Sequence, residues 1–308
     1  MSKRPTPTQI EVSELVALRQ SAQQLRLKHR RVRAAHNGGH LSRLRGRGME
    51  FDDVRAYQAG DDVRHIDWGI TARTGEPHTK LYREERERPV LIACDFSADM
   101  QFATRGDFKS VCATRIAALL AWAAHLNGDR VGALLFDEHQ HLALKPQRGD
   151  SGVLHLFNKF KDFCNKPNAN SQVKTGFNNH QIQPLDRLRR LAPTGSLVCL
   201  ISDFSRFDRS VQKSLQAVAR HCELILIQVN DPIEAAIPER GRLKLLGPDG
   251  PFTLNCTPAL ADAHQRQFEA RQEALQSWAR QYRAHYAHCF THEDAAERLR
   301  QQLEVRRL

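Results

Sequence analysis

Residues Pro89–Met100 read PVLIACDFSADM. Val90, Leu91, Ile92, Ala93 and Cys94 form an unbroken apolar run between a highly charged segment and the acids that follow. The run is too short for a helix and too apolar for a strand with one wet face. It therefore predicts a strand buried on both faces of a parallel sheet. Asp95, Ser97 and Asp99 follow at alternate positions, just past the strand's carboxyl end. In open α/β sheets that edge is where ligands bind.

Working outward, Ser196–Ser202 (SLVCLIS), ending at Asp203, reads as a second strand of the same kind. Arg130–Phe136 and Glu223–Val229 read as two more, with His141–Lys145 a short hairpin partner of the first of these. Helices are predicted between them at about 107–126, 152–163, 179–191 and 208–221, then at 258–285 and 293–305. Residues 231–256, rich in Pro and Gly, predict an exposed hairpin insertion, and Cys289–Thr291 an edge strand. Alternating strands and helices of these lengths imply an α/β fold with a doubly wound, mostly parallel sheet.

The amino-terminal part differs in composition. Residues 1–48 hold eleven Lys or Arg against only Glu11 and Glu14, so a net +9 of the chain's +11 sits there. Helical spacing of apolar residues from Ile10 to about Arg33 predicts a basic helix, broken by His36-Asn37-Gly38-Gly39-His40. Between Arg45 and Arg88 nine basic and ten acidic residues nearly cancel, with Phe51, Tyr57, Ile66 and Trp68 threaded through them. That balance predicts a small β-rich segment tied by paired charges and packed onto one side of the main sheet. The expected organisation is a basic arm (1–35), a charged segment (36–88) and an α/β domain (89–308).

The 308 residues, 41% hydrophobic and 26% charged, are enough for a substantial core in a globular protein. The first thirty residues lack the apolar core of a secretory signal. The longest apolar run, Ile116–Leu126, is far short of the roughly 20 residues of a membrane span. Seven scattered cysteines, with Cys94 and Cys199 inside apolar strands, predict reduced core thiols of a cytoplasmic protein.

Asp95, Ser97 and Asp99, with Asp203 at the end of another buried strand and Thr175 in a loop, offer only oxygen ligands. Such a set suits Mg²⁺, Mn²⁺ or Ca²⁺ and not zinc. Strand-end Asp and Ser also commonly cap the helices that follow them, which is the structural alternative. A Gly-x-x-x-x-Gly-Lys-Ser/Thr run is absent, which speaks against nucleotide hydrolysis. His285, His288, Cys289 and His292 are close enough in sequence to suggest zinc, but a helix-to-strand break there would splay them. Asp52, Asp53, Asp61, Asp62 and Asp67 resemble a nuclease-like cluster, yet Arg55, Arg64 and Arg73 stand nearby to pair with them.

The run from Gly46 to Met100 is similar to the defining region of the domain-of-unknown-function 58 family. The matching residues are Gly46, Gly48, Glu50-Phe51, Val54-Arg55, Tyr57, Gly60-Asp61-Asp62, Arg64, Ile66-Asp67-Trp68, Ala72-Arg73 and the acids Glu84 and Glu85. A weaker similarity continues through Gly128–Gly132 and Leu200–Phe204. The family resembles von Willebrand factor A domains and often accompanies MoxR-type AAA+ ATPases. The resemblance implies a non-enzymatic adaptor or co-chaperone that helps such an ATPase act on a client protein. It also implies a MIDAS-like divalent-metal site, with Asp95 and Ser97 in the first two positions, Asp203 in the last and Thr175 as the loop threonine. Position 99 departs from the pattern, being Asp where a second serine is expected. A third carboxylate there would bind the ion directly and leave less positive charge to attract a partner's acid. A metal-dependent phosphodiesterase and anionic-polymer binding through the basic arm are the alternative functions. The first lacks a positioned base such as a neighbouring His, and the second lacks aromatic interleaving.

Overall fold

The computed structural model describes residues 6–25, 27, 49–84, 88–166, 182–247 and 250–304. In chain order the elements begin with α1 (Val12–Ala17), α2 (Arg19–Ala22), β1 (Met49–Ala56), α3 (Trp68–Thr74) and β2 (His78–Glu84). Next come β3 (Pro89–Asp95), α4 (Lys109–Leu126), β4 (Arg130–Phe136), β5 (His141–Gln147), α5 (Asp150–Cys164) and α6 (Ile182–Leu191). The chain continues through β6 (Leu197–Ser202), α7 (Arg209–Ala219), β7 (Glu223–Asn230), α8 (Pro232–Ala235), β8 (Gly241–Gly247) and β9 (Gly250–Cys256). It ends with α9 (Pro258–Gln281), β10 (His285–Phe290) and α10 (Ala295–Glu304). The chain divides into two compact units, Met1–Arg30 with Arg88–Leu308, and Arg31–Glu87.

The larger unit is built on a six-stranded sheet of order β10-β7-β6-β3-β4-β5, parallel except for the edge pairing of β4 with β5. Strand β3 lies between β6 and β4, and successive connections wind outward from it in both directions. Val90, Ile92 and Cys94 face a core shared with α4 and α5, while Leu91 and Ala93 face a second core shared with α6, α7 and α9. That two-sided burial is why this segment reads as a continuous apolar run. Strand β10 is longer than the sequence suggested, and α9 ends at Gln281. Arg283 takes a left-handed backbone (φ 57°) and turns the chain into the strand.

Helix α4 is apolar nearly all the way round, with fifteen of its eighteen residues buried. A helix of that kind needs cover on every side. The sheet covers one side and residues 10–25 help cover another. Ile10 and Leu15 are fully buried, and Trp122 of α4 donates its indole N–H to the Leu15 carbonyl at 2.9 Å. Asn165, at the end of α5, clamps Ile10 through both its backbone N–H (2.8 Å) and its carbonyl (2.9 Å). Glu11 pairs with Lys161 (2.7 Å) and Glu14 with Arg115 (3.5 Å). Thus the described amino-terminal residues form two short helices seated on α4 and α5, where periodicity alone suggested one long basic helix. The rest of that expected helix lies outside the described residues.

The smaller unit pairs β1 with β2 antiparallel around α3. Asp61, Asp62 and Asp67 act locally. Asp61 accepts from the Gln58 backbone (2.9 Å) and pairs with Arg55 (2.7 Å), and Asp62 caps a 3₁₀ turn. Asp67 caps α3 through the Gly69 and Ile70 amides and pairs with Lys80 at 3.6 Å, not with Arg73. Gly75 ends α3 in the left-handed conformation (φ 77°) that a β-carbon disfavours. The helix α3 was not expected from the charge mosaic, and its Trp68 is exposed.

All seven cysteines are free thiols, and Cys112 and Cys289 sit with their sulfurs 3.9 Å apart in the core. His288 and Cys289 are neighbours on β10 and so point to opposite faces, which separates two of the residues considered for zinc. No helix among the described residues is long and apolar enough to cross a membrane.

Two predictions follow from this packing. Replacing Leu15 with Ala removes a fully buried side chain that packs on α4, and is expected to cost about 2–4 kcal/mol of unfolding free energy in urea. A cost near zero would mean that the segment is not docked in solution. His288 is buried against Asn230 (3.2 Å) and Phe268, and burial pushes its pKa down to about 4 despite Glu293, while Arg298 lowers it further. Its neutral form is native, so the unfolded chain binds the proton more readily. Stability from this group is present above about pH 6.5 and drains away as pH falls toward 4, by about 3 kcal/mol in all. His288→Gln should flatten that part of the stability–pH curve, and an unchanged slope would refute the assignment.

Candidate functional site

Of the sequence-predicted residues, Asp95, Ser97 and Asp203 lie where β3 and β6 end side by side. Connections leave these two strands in opposite directions, which makes this the topological switch point of the sheet, the usual ligand crevice of an open α/β fold. Asp95 is the last residue of β3 and Asp203 follows the last residue of β6. Both are buried.

Each carboxylate oxygen of the pair has a donor from the chain itself. Asp95 Oδ1 accepts from the Ser97 backbone N–H at 2.9 Å, and Oδ2 accepts from the Ser202 hydroxyl at 2.7 Å. Asp203 Oδ1 accepts from the Ser205 N–H at 2.9 Å. Its Oδ2 accepts from the Lys109 ammonium at 2.8 Å. The same ammonium donates to Glu234 Oε1 at 2.6 Å. Lys109 is only 1% exposed, although it opens α4. Glu234 is itself held from behind, its other oxygen accepting from Asn230 Nδ2 (3.1 Å) and from the Asp231 N–H (2.8 Å).

The electrostatics follow from burial and from these neighbours. Burial raises the Asp95 pKa to about 6, the charge of Asp203 adds to the rise, and the Ser202 and Ser97 hydrogen bonds oppose it. Burial alone would lower the Lys109 pKa, but the charges of Asp203 and Glu234 overbalance it and hold the ammonium protonated, with its pKa raised. The first turn of a helix carries partial positive charge, so a lysine there is of the unfavoured sign. The two carboxylates offset that cost.

Asp99 stands apart from the buried set. Its side chain is about half exposed, near Ser205 Oγ (3.4 Å) and Arg206 (3.8 Å). Together with Ala98 these three form an exposed rim above the buried carboxylates. Thr175 lies outside the described residues. Phe204 has a left-handed backbone (φ 53°), which turns the chain sharply after Asp203 while its ring anchors against Phe207. A cavity of about 100 Å³ opens beside Asp203 and Glu234, walled on one side by His264, Phe268, Arg271 and Leu275 along one face of α9.

The loop that leads into α4 is pinned across the sheet edge. Asp231, fully buried, accepts from the Thr104 N–H (2.6 Å), the Ile233 N–H (3.0 Å) and the Thr291 hydroxyl (3.1 Å). Gly106 (φ 75°) passes so close to the Thr291 carbonyl that a β-carbon would collide with it.

The residues as arranged do not fit a divalent ion. A cation already touches Asp203, the third acid points to the rim, and among the described residues no three His, Cys, Asp or Glu side chains are placed to hold a metal. Sequence reading found Asp95, Ser97 and Asp203 but missed Lys109, Glu234 and Ser202. A lysine opening a helix rich in Ala and Leu was the available signal for Lys109. The Asp231-Pro232-Ile233-Glu234 capping box, just past a buried strand, was the signal for Glu234.

Several known proteins are similar to this chain. The uncharacterized proteins Mb1516 of Mycobacterium bovis and Rv1480 of Mycobacterium tuberculosis are each 29% identical over 232 residues, covering 75% of this chain and 71% of theirs. Among solved structures, an aerotolerance-related membrane protein from Bacteroides fragilis, bearing multiple mutations to serine, is 17% identical. It aligns over 70% of this chain and 98% of that one with a TM-score of 0.45. A von Willebrand factor type A protein from Catenulispora acidiphila is 12% identical, aligned over 73% of this chain and 43% of that one with a TM-score of 0.37. The profile of the family described as "Protein of unknown function DUF58" matches residues 53–277, most of the chain, and the protein belongs to that family.

Proposed function

We propose that this protein is a non-enzymatic binding adaptor, a co-chaperone that works with a MoxR-type AAA+ ATPase on a client protein. The observation that carries the reading is the construction of the switch-point edge. Buried charges there are locked by internal hydrogen bonds, beneath an exposed rim of Ala98, Asp99, Ser205 and Arg206. A rim of this kind offers a partner both signs of charge on a rigid base, which favours selective recognition. The resemblance to von Willebrand factor A-like domains supports the same edge as the contact surface, and the family's association with MoxR-type ATPases supports the partner. Seven free cysteines support a reducing, cytoplasmic place of action.

The test is a binding titration against the MoxR-type ATPase encoded in the same genome. Asp99→Arg reverses a rim charge without touching the buried set. It should weaken the complex at least about tenfold, or about 1.4 kcal/mol, while leaving the melting temperature unchanged. Failure to bind the ATPase at all would overturn the partnership. Unchanged affinity in both Asp99→Arg and Arg206→Glu would move the interface elsewhere and overturn the role of this edge.

A further inference from the structure

We propose that the Lys109 ammonium is the resident cation of the switch-point site, standing where a divalent ion would otherwise balance Asp203 and Glu234. The site is then complete without metal, and recognition at its rim is insensitive to chelators. This deepens the adaptor reading and rests on it for the consequence at the rim. The metal independence itself needs no partner to be tested.

Three independent features lead here. The ammonium is buried and lies within hydrogen-bond distance of two carboxylates from different elements, Asp203 after β6 (2.8 Å) and Glu234 in α8 (2.6 Å). It therefore bridges side chains in the way a small cation does, with three donors in place of coordination positions. Second, both carboxylates are also held by groups other than the lysine. Asp203 is held by the Ser205 N–H, and Glu234 by Asn230 and the Asp231 N–H. Third, Asp95 is turned toward Ser97 and Ser202, and Asp99 toward Ser205 and Arg206. Neither supplies a carboxylate oxygen to Lys109, so the cation's partners are Asp203 and Glu234. An ammonium fixed to α4 also differs from a metal in one functional respect. It remains when divalent ions are scarce, and it offers no open coordination position to a partner's acid.

The experiment uses the full chain and Mn²⁺ as the probe, followed by calorimetry and by the paramagnetic signal of the free ion, with Mg²⁺ and EDTA as melting conditions. Wild-type protein should show no saturable Mn²⁺ binding up to about 1 mM and the same melting temperature in Mg²⁺ and in EDTA. Lys109→Met removes the ammonium while keeping most of the side chain's volume. It should bind one Mn²⁺ at least about tenfold more tightly than wild type and gain a metal-dependent rise in melting temperature. A variant that folds only with Mn²⁺ present would support the proposal by the same logic. If Lys109→Met folds in neither condition, Lys109→Gln, which removes the charge but keeps a polar donor and both carboxylates, is titrated in its place, with the same gain expected. One tightly bound Mn²⁺ in the wild type, lost in Asp203→Asn, would overturn the proposal. So would a folded lysine variant that gains no metal binding. A failed ATPase titration, with these metal results as expected, would overturn the adaptor reading alone.

Discussion

The buried ammonium of Lys109, shared between Asp203 and Glu234, is the interaction on which the functional end of this molecule depends. It joins the start of α4, the end of β6 and the short α8 after β7, three elements that share no backbone hydrogen-bond ladder at that point. Burying a charge costs several kcal/mol unless partners of opposite sign and good geometry are in place. Removing either partner class would leave an uncompensated charge in the interior. The arrangement of the loops at the switch point is therefore tightly constrained, and the left-handed backbones of Gly106 and Phe204 lie in those loops.

The second organising feature is helix α4. Its Ala- and Leu-rich surface is buried nearly all round, so the sheet alone is too small a cover for it. Residues 10–25 add part of the remaining cover, with Trp122 and Asn165 as the polar fasteners. This seating recasts the amino-terminal region. Basic composition suggested an arm free to meet an anionic partner, whereas its described residues act as one layer of the α/β domain. Charge composition describes what a segment attracts, and its apolar positions decide where it rests.

The α/β class, the buried strands and most helix positions were legible in sequence because burial on both faces leaves an unbroken apolar run, and burial on one face leaves a period. Asp95 and Asp203 were legible because a polar residue ending such a run must emerge at the sheet's edge. Boundaries set by single backbone conformations were less legible. The left-handed Arg283 shortened α9, and the capping by Asp67 created α3 within what looked like a mosaic of strands and turns. Lys109 and Glu234 escaped notice because they lie 125 residues apart, and the local signals at each say nothing of their meeting.

By itself, the sequence determined the layered α/β fold, the strand-end acids at its switch point and the family to which the chain belongs. These depend on local periodicity and on a long contiguous motif, both readable along the chain. Only the tertiary structure decided which cation meets those acids and where the third acid points. Asp203 and Lys109 are brought together by the packing of α4 against the sheet, and Asp99 is held at the rim by the loop that follows β3. Charge balance in a buried site is a sum over neighbours in space, and neighbours in space are what the order of residues along a chain leaves unstated.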